Sequence, residues 1–299
     1  MKPMRSILFV PAHREGWPAK AVAAGVDGII LDLEDSDPAN MKNEGRERCA
    51  ASIRELHAGN GRQVGVYVRL NALETGLTGD DLEAVAIPGL DGVVLPKSYG
   101  EQDIIACDAL ITHYERRNGV KAGTIEILAS LETAQAYSNC ERMLAASPRV
   151  ATLFAGTARD ADVSRSIGFQ FTPLGLETLY LRSRAVLATR AAGRNFPIVG
   201  VWQDLKDNEG ARRFSEQNRQ LGFMGQVLIH PSHIAIANEV FTPSAQEVAF
   251  YAGMIDAFEK AESEGIAAVV YEGQHIDYAH IKTAREVIAM AEAYAAKPN

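Results

Sequence analysis

The chain has 299 residues, is 47% hydrophobic and 23% charged, and carries a formal net charge of -8. This is globular composition, and an acidic balance without a basic stripe argues against a nucleic-acid partner. No apolar run approaches the roughly 18 residues of a membrane span, and Cys49, Cys107 and Cys140 form no CxxC pair, so a cytoplasmic protein without membrane or thiolate-metal contacts is expected.

In chain order, short apolar runs alternate with helical stretches. "SILFVPA" precedes "GWPAKAVAAG", and "GIILDLED" precedes "PANMKNEGRERCAASIRELHAG". "VGVYVRLN", "DGVVLPKS", "TIEILASLE", "RVATLFAGT", "FPIVGVWQD" and "MGQVLIHPS" follow, each with a helical segment behind it. The runs are almost continuously apolar, as in parallel strands covered on both faces. Gly25, Gly59, Gly193 and Gly222 stand where helices should stop. Eight such units, with no glycine-rich phosphate loop after an early strand, predict a closed (β/α)₈ TIM barrel rather than an open doubly wound sheet. The barrel is expected over residues 1–242. Residues 243–299 read as a C-terminal helical extension: a long amphipathic helix, a short extended piece and a second helix.

In such a barrel the C-terminal strand ends face the active site. These ends carry His13 and Arg14; Asp32, Glu34 and Asp35; Arg69 and Asn71; Lys97; Glu132; residues 156–162; Gln203 and Asp204; and His230 with Pro231. Asp35 and Asp37 also fit helix capping, because acids are favoured at helix N-termini. Asp32 and Glu34 do not, since they interrupt an apolar run. Glu132 at one strand tip, with Asp160 or Asp162 after the next, is an oxygen donor set suited to Mg²⁺.

The pieces "RSILFVPA", "GIILDLEDS", "VRLN", "DGVVLPK", "LASLET", "DVSRSIG", "LGFMGQVLIHPSHIAIANEVFTPS" and "EGQHID" occur in this order over nearly the whole chain. Together they resemble the CitE-like branch of the HpcH/HpaI aldolase and citrate lyase beta-subunit superfamily, including its malyl-CoA and citramalyl-CoA lyases. The resemblance implies a Mg²⁺-dependent barrel with Glu132 and Asp162 as metal ligands. It implies that Arg69 grips the carboxylate of a small acid, and that Phe9, Arg14, Lys20, Ile229 and Pro231 border CoA. It makes Asp277 an acid/base on a lid that a neighbouring subunit supplies, within a homo-oligomer (trimer or hexamer). Glu34 and Asp35 then orient Arg69 and metal-bound water around the site. Where the family has Gly, a variable residue and Glu-Asp, this chain has the longer "GTARDAD", with Ala161 in place of the glutamate. Counting back from Gly168 gives Asp162 as ligand; counting forward from Gly156 gives Asp160. "GQHID" places His275 beside Asp277, where it either packs or tunes the lid.

The implied reaction is retro-Claisen cleavage of a hydroxyacyl-CoA thioester, such as malyl-, citramalyl- or citryl-CoA, to an α-keto acid and acetyl-CoA. The rivals are a CoA-independent HpaI-type aldolase acting on hydroxy keto acids, a catalytically silent thioester-binding subunit of a larger lyase, and citryl transfer on an acyl carrier protein.

Overall fold

The computed structural model describes residues 1–58 and 64–295, so the expected helix stop at Gly59 lies outside the described residues. Eight strands close a parallel barrel in sequence order. They are β1 (Ser6–Pro11), β2 (Gly28–Asp32), β3 (Gly65–Arg69), β4 (Gly92–Leu95), β5 (Glu126–Leu131), β6 (Val150–Ala155), β7 (Ile198–Val199) and β8 (Gly225–Leu228). Pairing of β1 with β8 closes the ring. The connecting helices are α1 (Trp17–Ala23), α2 (Lys42–Ala58), α3 (Thr78–Val85), α4 (Glu101–Arg117), α5 (Ala134–Ala146), α6 (Asp162–Ile167), α7 (Leu179–Ala191) and α8 (Asn208–Leu221), and α9 (Ile234–Val240) follows β8. The sixth connection thus holds a short helix, α6, ahead of α7.

Each strand sends alternate side chains inward. Ile7, Ile30, Tyr67, Val94, Leu128, Phe154, Ile198 and Val227 fill the barrel with Met4. Their neighbours Ile29, Leu31 and Val68 are equally buried, which is why the strands read as unbroken apolar runs. Gly25, Gly193 and Gly222 adopt left-handed φ after α1, α7 and α8, as expected of helix stops. The three cysteines are free and buried.

The chain divides into two compact units, Met1–Asn238 and Glu239–Asn299. In the second, α10 (Ala245–Ser263) starts at a capping box of Ser244 and Glu247. The expected extended piece is an antiparallel hairpin, β9 (Val269–Tyr271) with β10 (Gln274–Ile276), and α11 (Tyr278–Ala295) follows it. Glu272 and Gly273 both take positive φ, 45° and 78°, as a tight two-residue hairpin turn requires. Met254, Phe258, Ile276, Ile281 and Ala284 form this unit's own core. No helix among the described residues is long and apolar enough to cross a membrane.

Candidate active site

A cavity of about 480 Å³ opens at the C-terminal ends of the barrel strands. Phe9, Pro11, Asp32, Asp35, Arg69, Glu132, Asp162 and Ile229 line it, with Phe154, Thr157 and Val201 among the remainder. β2 delivers the acids. Asp32 is its last residue, and register with β3 sets it beside Arg69. Arg69 donates through Nε and Nη2 to the two Asp32 oxygens, both at 2.7 Å, while Nη1 lies 2.8 Å from Glu34 Oε2. One hydrogen on each terminal nitrogen is left for a ligand. The guanidinium carbon sits 4.8 Å from the Phe9 ring centroid, a cation–π contact that fixes the plane further. Burial alone would raise the Asp32 carboxyl, but the Arg69 fork outweighs it and holds Asp32 below its usual range.

Glu34 behaves differently. It is 6% exposed, and burial pushes it up to about 7 although Arg69 and Lys97 pull the other way. Lys97 Nζ lies 2.8 Å from Glu34 Oε1, yet neither Glu34 oxygen has a well-aligned hydrogen bond, so these are ion pairs rather than directed bonds. Asp35 is exposed at the rim, 3.2 Å from Lys97 Nζ. Neither Asp35 nor Asp37 caps a helix as the sequence suggested. The turn after β2 starts at Ala39 behind Pro38 without a side-chain cap. Asp37 instead reaches the loop after β1, where its Oδ1 lies 2.6 Å from His13 Nδ1.

Glu132 directly follows β5. Its Oε1 accepts from Ser130 at 2.7 Å and its Oε2 from the Lys97 amide at 3.2 Å. Asp162 opens α6, with Oδ2 3.8 Å from Lys97 Nζ and Oδ1 paired to Arg165. Asp160 turns away: its side chain is 93% exposed and does not reach the cavity. The structure therefore brings Asp162, not Asp160, beside Glu132. Asp32, Glu34, Asp35, Glu132 and Asp162 surround two interior cations, Arg69 and Lys97. That excess of negative charge fits a divalent cation. Among the described residues, no three His, Cys, Asp or Glu side chains form a cage. Two carboxylates suit Mg²⁺, which keeps water and substrate oxygens in its remaining positions, better than a structural zinc.

The model of the HpcH/HpaI aldolase/citrate lyase family matches residues 5–231. The chain belongs to that family. A (3S)-malyl-CoA thioesterase of Cereibacter sphaeroides is 34% identical over 294 residues, 98% of this chain and 96% of that protein. An L-malyl-CoA/beta-methylmalyl-CoA lyase of the same species is 33% identical, covering 97% and 95%. Among solved structures, CitE of Mycobacterium tuberculosis in complex with magnesium, acetoacetate and coenzyme A superposes with a TM-score of 0.74 at 26% identity, covering 97% of this chain and 98% of that one. The protein is thus an enzyme of a lyase family.

Against that family background the remaining expected residues divide. Phe9 and Ile229 line the cavity, whereas Arg14, Lys20 and Pro231 are exposed outside it, with Arg14 5.4 Å from the Trp17 ring. Asp277 belongs to the second unit. There it opens α11, accepts from the Ala279 amide at 3.0 Å and lies 2.7 Å from His280 Nδ1. The His280 hydrogen bond lowers its pKa. His280, not His275, is its neighbour, and His275 is exposed rather than packed. Sequence reasoning named Asp32 and Lys97 only as strand-end residues and gave them no role. Their signals were a charge inside an apolar run and a lysine directly after the Pro that ends "GVVLP".

Proposed function

We propose that this enzyme is a Mg²⁺-dependent carbon–carbon lyase that cleaves a hydroxyacyl-CoA thioester to an α-keto acid and acetyl-CoA. The observation that carries the reading is that Glu132 and Asp162 line the same cavity as Arg69, whose guanidinium Asp32 fixes. Glu132 and Asp162 would hold the Mg²⁺, which when bound supplies Lewis-acid stabilisation of the substrate's hydroxyl and carboxylate oxygens. Arg69 orients the small acid through the N–H groups that Asp32 and Glu34 leave over. Because its fork is consumed internally, it meets the ligand as a preset donor pair. Phe9 and Ile229 offer apolar surface to the thioester arm, and Arg14 and Lys20 place positive charge outside the cavity, suited to CoA phosphates. As a base takes the substrate's hydroxyl proton the C–C bond breaks, the keto acid leaves, and the thioester enolate that remains takes a proton on carbon from Asp277 of a neighbouring subunit in a trimer or hexamer. Exclusion of water there would have to raise a carboxyl that now lies low.

A second reading, thioester hydrolysis, is favoured by the 34% identity to a (3S)-malyl-CoA thioesterase, with the His13–Asp37 pair, outside the cavity lining, as its candidate base. Asp37 is buried, and with His13 Nδ1 engaged, Nε2 is left as the nitrogen that can take a proton from water. Mass analysis of products from malyl-, citramalyl- and citryl-CoA with Mg²⁺ separates the two. Acetyl-CoA with a keto acid supports the lyase. Free CoA with the intact hydroxy acid supports hydrolysis. Cleavage of free hydroxy keto acids alone supports the CoA-independent aldolase and overturns both.

A further inference from the structure

Lys97 stands just after β4 with φ at 45°, a left-handed conformation that residues other than glycine, asparagine and aspartate rarely take. Its contacts show what that conformation achieves. The backbone amide donates to Glu132 Oε2 at 3.2 Å. The ammonium lies 2.8 Å from Glu34, 3.2 Å from Asp35 and 3.8 Å from Asp162. One residue therefore meets four carboxylates from the loops after β2, β5 and β6. Lys97 does not itself line the cavity, so it acts through those acids. Without it the cluster would lean on Arg69, which is already engaged by Asp32 and Glu34. Like charges this close repel strongly unless a cation lies between them.

We propose that Lys97 is a positioning residue: an internal counter-cation whose ammonium keeps Glu34, Asp35 and Asp162 assembled, beside the Glu132 its amide holds, in the geometry a divalent ion needs, before that ion binds. The proposal rests on the metal reading of Glu132 and Asp162. Its consequence is specific. The contribution of Lys97 is greatest in the metal-free enzyme and shrinks when a divalent ion takes over the neutralisation. A lysine that merely supported its loop would matter equally in both states.

The test is thermal unfolding of the full chain in EDTA and in saturating Mg²⁺. Lys97→Met should lower the melting temperature in EDTA by roughly 5 °C or more, and Mg²⁺ should recover most of that loss. Lys97→Arg should stay near wild type. In a Glu34→Gln background, Lys97→Met should lose less than half as much, because one of the charges it balances is gone. Lys97→Met that folds only when Mg²⁺ is present is the same result in stronger form. Equal losses in EDTA and Mg²⁺, or no coupling to Glu34, overturn the proposal. If Lys97→Met folds in neither condition, Lys97→Gly, which relieves the left-handed strain, carries the same comparison. A wild-type protein that Mg²⁺ does not stabilise would sink the metal reading and the metal clause here, and the Glu34 coupling in EDTA would then decide whether Lys97 is a counter-cation at all.

Discussion

The barrel carries a charged cluster at each end, and the two are built oppositely. At the N-terminal end of β6, Arg149 gives every nitrogen a partner: Nε donates to Asp108, Nη1 to Glu115 and the Ile125 carbonyl, and Nη2 to Thr112 and Glu115. Glu115 also accepts from the amides of Gly123, Thr124 and Ile125. Burial would raise both Asp108 and Glu115, yet their hydrogen bonds outweigh it and both titrate low. At the cavity end, acids outnumber cations and buried Glu34 titrates high. The same residue types make a closed staple in one place and an open, charge-unbalanced site in the other. Saturation of polar partners marks structure, and its deliberate shortfall marks a place for a ligand.

Substitution should separate the two most sharply at the metal pair. Glu132→Ala and Asp162→Ala should each lower Mg²⁺-dependent kcat/KM on the order of a thousandfold. Their metal-free melting temperatures should hold or rise, since each removes a like charge. Asp160→Ala, altering a side chain that is 93% exposed, should stay within about twofold by the same steady-state assay. If Asp160→Ala lost activity while Asp162→Ala kept it, the assignment of the loop after β6 would be wrong.

The staple should respond the other way. Glu115→Gln takes one of Arg149's two carboxylates and leaves Asp108, which should cost roughly 1–3 kcal/mol by denaturant unfolding. Below its midpoint the variant should keep wild-type kcat/KM. A selective loss of turnover in a stably folded variant would show that the far end of the barrel couples to the cavity.

Most of the barrel was legible in the sequence because parallel strands covered on both faces leave eight apolar runs that nothing else imitates. Strand ends then located the cavity, and counting back along "DVSRSIG" pointed to the aspartate that lines it. What escaped were partnerships across sequence. Asp37 satisfies both the local rule for a cap and the distant geometry of His13, and only the packed loops show which prevails. Arg69 was read as the grip on a small acid's carboxylate, and its bonds to Asp32, set by β2–β3 register, did not show in the sequence. The left-handed Lys97 has no local signature, since lysine does not favour that conformation and tertiary contacts impose it. The hairpin of β9 and β10 read only as one extended piece, because each strand has three residues and its turn is Glu-Gly rather than a stronger turn pair.

Glu34 offers a graded test of the imbalance. Its folded pKa, about 7, lies above the ordinary 4.5, so the native state binds its proton more tightly than the unfolded chain does. The stability this confers is fully present below pH 4.5 and is lost as pH rises through about 7. The difference corresponds to at most ~3 kcal/mol. Glu34→Gln should flatten that part of the stability-versus-pH curve in EDTA. An unchanged slope between those limits would place the proton elsewhere in the cluster.

The smallest effect belongs to Asp35, which shares the cluster but not its burial. Its side chain is 60% exposed, 3.2 Å from Lys97 and 4.0 Å from Arg69. Exposed ion pairs contribute little and are screened by salt, so Asp35→Asn should weaken Mg²⁺ only about two- to fivefold at low ionic strength. At about 0.5 M salt, where the screening length falls below roughly 5 Å, the difference should nearly vanish. Glu34→Gln, measured beside it by Mg²⁺ titration calorimetry, should keep its effect in salt because its carboxylate is buried. A loss for Asp35→Asn near a hundredfold and indifferent to salt would mean that Asp35 touches the ion or its water directly, and that the open site extends to the rim.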